Sequence, residues 1–92
     1  MIKTLMYHKV QDFDKWKDVF DNFSDVRKAS GEISFSTGTL HNEPNTAFVL
    51  NTWNSNEDFQ AFVGSSELAE GMKNAGVLEA PNVIILEEIS NG

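Results

Sequence analysis

At 92 residues the chain has room for one domain, and a domain of this size buries only about 60% of the surface that its unfolded chain exposes. Seven Phe, two Trp and one Tyr supply enough aromatic surface for a packed core, so disorder is not expected. Seven Lys and Arg stand against fourteen Asp and Glu, giving a net charge of −7 and no basic stripe of the kind that displaces phosphate counterions, which argues against nucleic acid as a partner.

There are no cysteines, so disulfides and thiolate chemistry are excluded. No apolar run approaches the roughly 20 residues of a membrane span, and the opening residues carry no apolar stretch of signal-peptide length. A cytoplasmic protein is the expectation.

In chain order, residues 2–10 are rich in strand formers and end at Gln11-Asp12, where Asp12 is a good helix N-cap. Phe13, Trp16, Val19, Phe20, Phe23 and Val26 then recur at spacings of three and four, which predicts one amphipathic helix with an aromatic buried stripe. Gly31 follows as a C-terminal stop. Residues 32–42 read as a strand, Asn42-Glu43-Pro44-Asn45 as a hairpin turn, and Thr46 to Trp53 as the next strand. Ser55 or Asn54 caps a second helix, which breaks at Gly64-Ser65-Ser66 and resumes through Leu68, Ala69 and Met72 to Gly76. The last strand runs from Asn82 to Ile89.

The order β-α-β-β-α-β is the split arrangement of a ferredoxin-like α+β domain spanning residues 1–92. Right-handed crossovers make it a four-stranded antiparallel sheet with two helices on one face. The strands, however, are apolar on both faces. Phe48 and Leu50 oppose Val49 and Trp53, Val83 and Ile85 oppose Ile84 and Leu86, and Ile2 and Met6 oppose Leu5 and Tyr7. Helices can shield one side only. A second copy packed sheet to sheet, a dimeric α/β barrel, is the expected cover for the other.

Two sets of residues carry a resemblance. His8-Lys9-Val10, Asp12, Trp16, Phe20-Asp21, Arg27 and Gly31 form the first. Phe48-Val49-Leu50, Trp53, Ser65-Ser66-Glu67-Leu68, the segment Met72 to Val77 and Pro81 form the second. Together they resemble small bacterial proteins of the dimeric α/β-barrel superfamily, relatives of the antibiotic-biosynthesis-monooxygenase-like proteins, some of them called cyclases. The resemblance covers nearly the whole chain. It implies the fold and the homodimer, and it implies activity far less, because the superfamily hosts oxygenases, haem degraders, isomerases and dehydratases alike.

Several side chains could carry chemistry. His8 shares a strand face with Ile2 and Met6, where it is either a general base at a pocket mouth or a core histidine bonded to backbone. Arg27, the sole arginine, projects along the stripe of Trp16 and Phe20 and could bind an anionic ligand, pair with a carboxylate, or simply snorkel. Trp16 and Trp53 could wall an aromatic pocket or only fill the core, and Tyr7 and Asn51 are polar positions on central strands that need partners if buried.

His8 and His41 lie on different strands with no acidic ligand cluster, so no metal is expected. Nor does any phosphate loop or nucleophile elbow call for a cofactor. A haem site would require an axial histidine on a helix or at its edge, and neither histidine falls there. The leading reading is a small-molecule protein acting on an apolar or aromatic compound by cofactor-independent oxygenation, cyclisation or isomerisation, with His8 as base and Arg27 or Asn51 orienting the ligand. The alternative is a non-catalytic binding or assembly module whose interior is filled by its own side chains.

Overall fold

A computed structural model describes residues 1–92. The elements are β1 (Ile2–Lys9), α1 (Phe13–Asn22), α2 (Ser24–Ala29), β2 (Glu32–Leu40), β3 (Glu43–Trp53), α3 (Asn56–Val63), α4 (Ser66–Asn74) and β4 (Asn82–Glu87). All strand pairs are antiparallel in the order β2-β3-β1-β4, and the helices pack on one face, which is the expected ferredoxin-like α+β topology. Three helices start on side-chain caps. Asp12 accepts from the Asp14 N–H, Ser55 from Asp58 and Ser65 from Leu68, each satisfying a backbone donor of a first turn.

The predicted first helix is two helices. It breaks at Phe23, whose backbone leaves the helical region and whose N–H is shared between the Val19 and Phe20 carbonyls. No Gly or Pro marks the break. The break coincides with a tertiary contact: the Phe23 ring lies against the backbone of Gly71 on α4, where an added Cβ would come within 2.5 Å of the ring. The second helix divides at Gly64, as its sequence predicts, and Ser65 caps the continuation.

The hairpin is tighter than the predicted turn at Asn42-Glu43-Pro44-Asn45. Leu40 already pairs with Glu43, and Asn42 takes the left-handed conformation that its short side chain tolerates. Pro44, with no N–H to lend the ladder, lies in β3 at a slip in register. A second irregularity shapes the site. At the bulge between Glu32 and Ser34, β2 gains a residue, so Glu32 pairs with Trp53 and Phe35 with Asn51. Both therefore face the helices, and the extra Ile33 is pushed outward, 51% exposed.

The helix-covered face holds the core, in two separate clusters. One comprises Val10, Trp16, Ala47, Val49 and Ala75; the other Trp53, Phe59 and Phe62. The helices leave β4 only partly covered, so Val83 and Ile85 are exposed on their side of the sheet, as Ile84 and Leu86 are on the opposite side.

Candidate functional site

Between the two core clusters lies a cavity of about 260 Å³. The sheet forms its floor through Met6, His8, Val49, Asn51 and Trp53, with Val83 at the β4 edge. The α1 and α2 side supplies Trp16, Phe20, Phe23 and Arg27; the α3 and α4 side supplies Phe59, Phe62, Leu68, Gly71 and Met72. Its wall is mostly apolar and aromatic, the usual character of a small-molecule pocket.

Five of the six site residues singled out in the sequence, His8, Trp16, Arg27, Asn51 and Trp53, line this cavity. Tyr7 does not. It pairs with Phe48 and Asn82 on strands whose matching side chains face away from the helices, so alternation sets it on the opposite face from His8. His41 is exposed in the hairpin, and no group of three His, Asp or Glu side chains converges as metal ligands.

Arg27 is 3% exposed and pairs through Nε with both carboxylate oxygens of Glu32, at 3.0 and 3.2 Å. Its Nη1 donates to the Phe20 carbonyl. The guanidinium carbon lies 3.7 Å from the centre of the Phe20 ring and 5.0 Å from that of Phe35, two rings that themselves meet edge to face, so the cation packs against an aromatic pair. Of the roles open to Arg27, pairing with a carboxylate is therefore the observed one, and the charge available to an anionic ligand is already neutralised.

Glu32 also accepts from Asn51 Nδ2. Asn51 Oδ1 in turn accepts a long 3.5 Å bond from Thr4 Oγ1, and Thr4 Oγ1 accepts from Trp53 Nε1 at 2.9 Å. Arg27, Glu32, Asn51, Thr4 and Trp53 thus form one buried chain. Glu32 and Thr4 went unrecognised as site residues in the sequence. An acid just after the glycine stop was a usable signal, but only the β2 bulge turns Glu32 inward.

His8, 1% exposed, makes a different arrangement. Trp16 Nε1 donates to its Nε2 at 3.0 Å, with the two rings edge to face. An indole N–H only donates, so Nε2 must carry the lone pair and the neutral ring must hold its proton on Nδ1. That Nδ1 is buried and has no hydrogen-bond partner. Burial pushes the His8 pKa below its ordinary 6.5, with the Glu79 carboxylate opposing the shift more weakly, so the ring is neutral at neutral pH. Behind Trp16, Phe20 stacks at 5.2 Å between ring centres and passes the stack on to Arg27.

The fold is shared with solved structures. A candidate antibiotic biosynthesis monooxygenase from Bordetella bronchiseptica superposes with a TM-score of 0.79 at 14% identity, covering 97% of both chains. Another from Caulobacter crescentus gives 0.78 at 18% identity over 97% of this chain and 90% of that one. SnoaB, a cofactor-independent oxygenase from Streptomyces nogalater, gives 0.78 at 8% identity over 98% and 94%. The chain therefore has the fold of the antibiotic biosynthesis monooxygenase proteins, in agreement with the resemblance read from its sequence. No protein-family model matches it, and no curated protein does.

Proposed function

We propose that this protein binds a small apolar or aromatic compound in the cavity between sheet and helices and transforms it without a cofactor, as a cytoplasmic homodimer. The cavity carries the reading: a space of about 260 Å³, walled by aromatic rings and holding one neutral, unprotonated imidazole nitrogen, suits a ligand better than it suits a filled structural core. The likeness to an oxygenase that works without a cofactor adds support at the level of fold. Oxygenation, cyclisation and isomerisation share a need for a base or an acceptor at the reacting group, and His8 Nε2 is that atom. Arg27 and Asn51, engaged with Glu32, shape the wall around the ligand. No helix is long and apolar enough to cross a membrane.

The homodimer rests on the face away from the helices. Ile84 and Leu86 are 47% and 41% exposed there, and they continue the surface formed by Leu5, Tyr7, Phe48 and Leu50. A second copy laid sheet to sheet would cover it. Light scattering at micromolar concentration tests the assembly; a mass of 10.3 kDa would overturn it. For the ligand, the wild-type protein and His8→Ala are screened against one- to three-ring aromatics, for binding by tryptophan fluorescence and for turnover by oxygen uptake and product analysis. Saturable binding, with turnover lost in His8→Ala, is expected. Absence of any binding at millimolar ligand overturns the reading, and equal turnover by the variant removes the role of His8.

A further inference from the structure

The cavity wall holds five groups able to hydrogen-bond through side chains: His8, Trp16, Arg27, Asn51 and Trp53. Five of their side-chain bonds run backwards, to Glu32 or Thr4, neither of which lines the cavity. The bond from Trp16 to His8 is the exception. It is the one side-chain pair whose donor and acceptor both stand on the wall, so a ligand can reach both ends of it.

Resting on the small-molecule reading of this cavity, we propose that the Trp16–His8 pair is a hydroxyl-binding subsite. A hydroxyl carried by an apolar ring system enters between the two side chains, accepting from Trp16 Nε1–H and donating to His8 Nε2. The chemistry of the two atoms selects this group. The indole offers a proton and no lone pair, while Nε2 offers a lone pair and no proton. Only a group that both accepts and donates through one atom bridges them. A ketone or ether satisfies Trp16 but strands Nε2, a buried acceptor whose desolvation then goes uncompensated. An ammonium fails on the other side. A carboxylate meets the same obstacle as the ketone, and the one nearby cation is spent on Glu32.

Room exists for the exchange. The nitrogens are 3.0 Å apart and must separate by about 2 Å to admit an oxygen at hydrogen-bonding distance from each. The indole packs on Phe13 and Phe20 and borders the cavity, the side toward which it shifts to admit the hydroxyl. The rest of the ligand meets Phe23, Phe59, Phe62 and Met72. An apolar cavity of about 150 Å³ holds benzene, so the larger space here suits about two fused rings. The ligand class is a phenol of naphthol size. The lone pair that receives its hydroxyl is kept unprotonated at neutral pH by the burial of the ring.

The test titrates the full-length wild-type protein with β-naphthol, its methyl ether and naphthalene, following the indole N–H signals by proton–nitrogen NMR correlation. All three should bind, β-naphthol about tenfold more tightly than the other two, the worth of one well-placed hydrogen bond. The Trp16 indole signal should shift differently with β-naphthol than with naphthalene. The Trp53 indole, whose partner Thr4 lies behind the wall, should respond alike to all three. In Trp16→Phe the preference should shrink to within about twofold while naphthalene binding persists. Should the variant not fold, the wild-type shifts decide alone. Equal affinities with an unresponsive Trp16 signal overturn the subsite and leave the cavity reading standing; a methyl ether as tight as the naphthol overturns the pairing with His8. If none of the three binds, the cavity reading falls and the subsite with it.

Discussion

Trp16 and Trp53 stand at opposite ends of one cavity, and each donates its indole N–H to a residue of β1. Trp53 reaches Thr4 at 2.9 Å and Trp16 reaches His8 at 3.0 Å, two acceptors on the same strand face four residues apart. Beyond that first bond they differ. Thr4 hands on through Asn51 and Glu32 to a stacked, ion-paired Arg27, so every member of that end has a partner. His8 hands on to nothing, and its Nδ1 is left without an acceptor. A buried network with all members satisfied holds its geometry rigidly, whereas an incompletely satisfied pair has less to lose when its one bond is exchanged. The Trp53 end is internally satisfied; the Trp16 end, with its unpartnered His8 Nδ1, is the one on which the proposed subsite rests.

The hardest blow to this contrast comes from Arg27→Leu. It strands the Glu32 carboxylate in the interior and should cost about 3–5 kcal/mol in urea unfolding. A loss below about 1 kcal/mol would show that the network is no scaffold. Trp53→Phe should come next, at about 2 kcal/mol, because it removes ring volume and leaves the fully buried Thr4 hydroxyl without its donor. Trp16→Phe should cost less, about 1 kcal/mol, since His8 gives up a bond beside a cavity that solvent can enter. Reversal of those two values would invert the assignment of the ends.

Gly71→Ala probes the roof that spans both ends. Its methyl group would collide with the Phe23 ring, and an overpacking loss of about 1–3 kcal/mol in thermal unfolding is expected, with unchanged stability arguing that the Phe23 ring is not tightly held there. The smallest effect is in pH. The native pKa of His8 lies below 6.5, so as pH falls through that value the unfolded chain takes up the proton first. Stability from this group is complete above 6.5 and declines from there down to the native pKa, where the decline ends. Melting temperatures of the wild type should therefore fall between pH 7 and pH 5 more steeply than those of His8→Leu, and parallel profiles would mean that His8 is not held neutral by burial.

Most of the fold was legible because its signals are local. The aromatic spacing from Phe13 to Val26 and the caps at Asp12 and Ser55 each act within a turn or two of chain; the structure keeps both caps and realises the spacing as two helices rather than one. The break at Phe23 carries no Gly or Pro signal, and the contact that accompanies it is with a glycine on a helix more than forty residues away. Alternation along β1 already separates Tyr7 from His8, so Tyr7 could have been set aside from the sequence. The inward turn of Glu32 and Phe35 could not, because a bulge reverses the parity on which such an argument depends.

By itself, then, the order of residues determined the element sequence, the two-sided apolar strands and an arginine riding an aromatic stripe. All of these follow from periodicities of two and 3.6 that every stretch of chain carries on its own. Tertiary structure alone decided that Arg27 meets Glu32, that Trp16 rather than backbone meets His8, and that the core parts around a cavity. Those outcomes depend on strand register and on how far apart two pairs of helices come to rest, and no short window of sequence contains either.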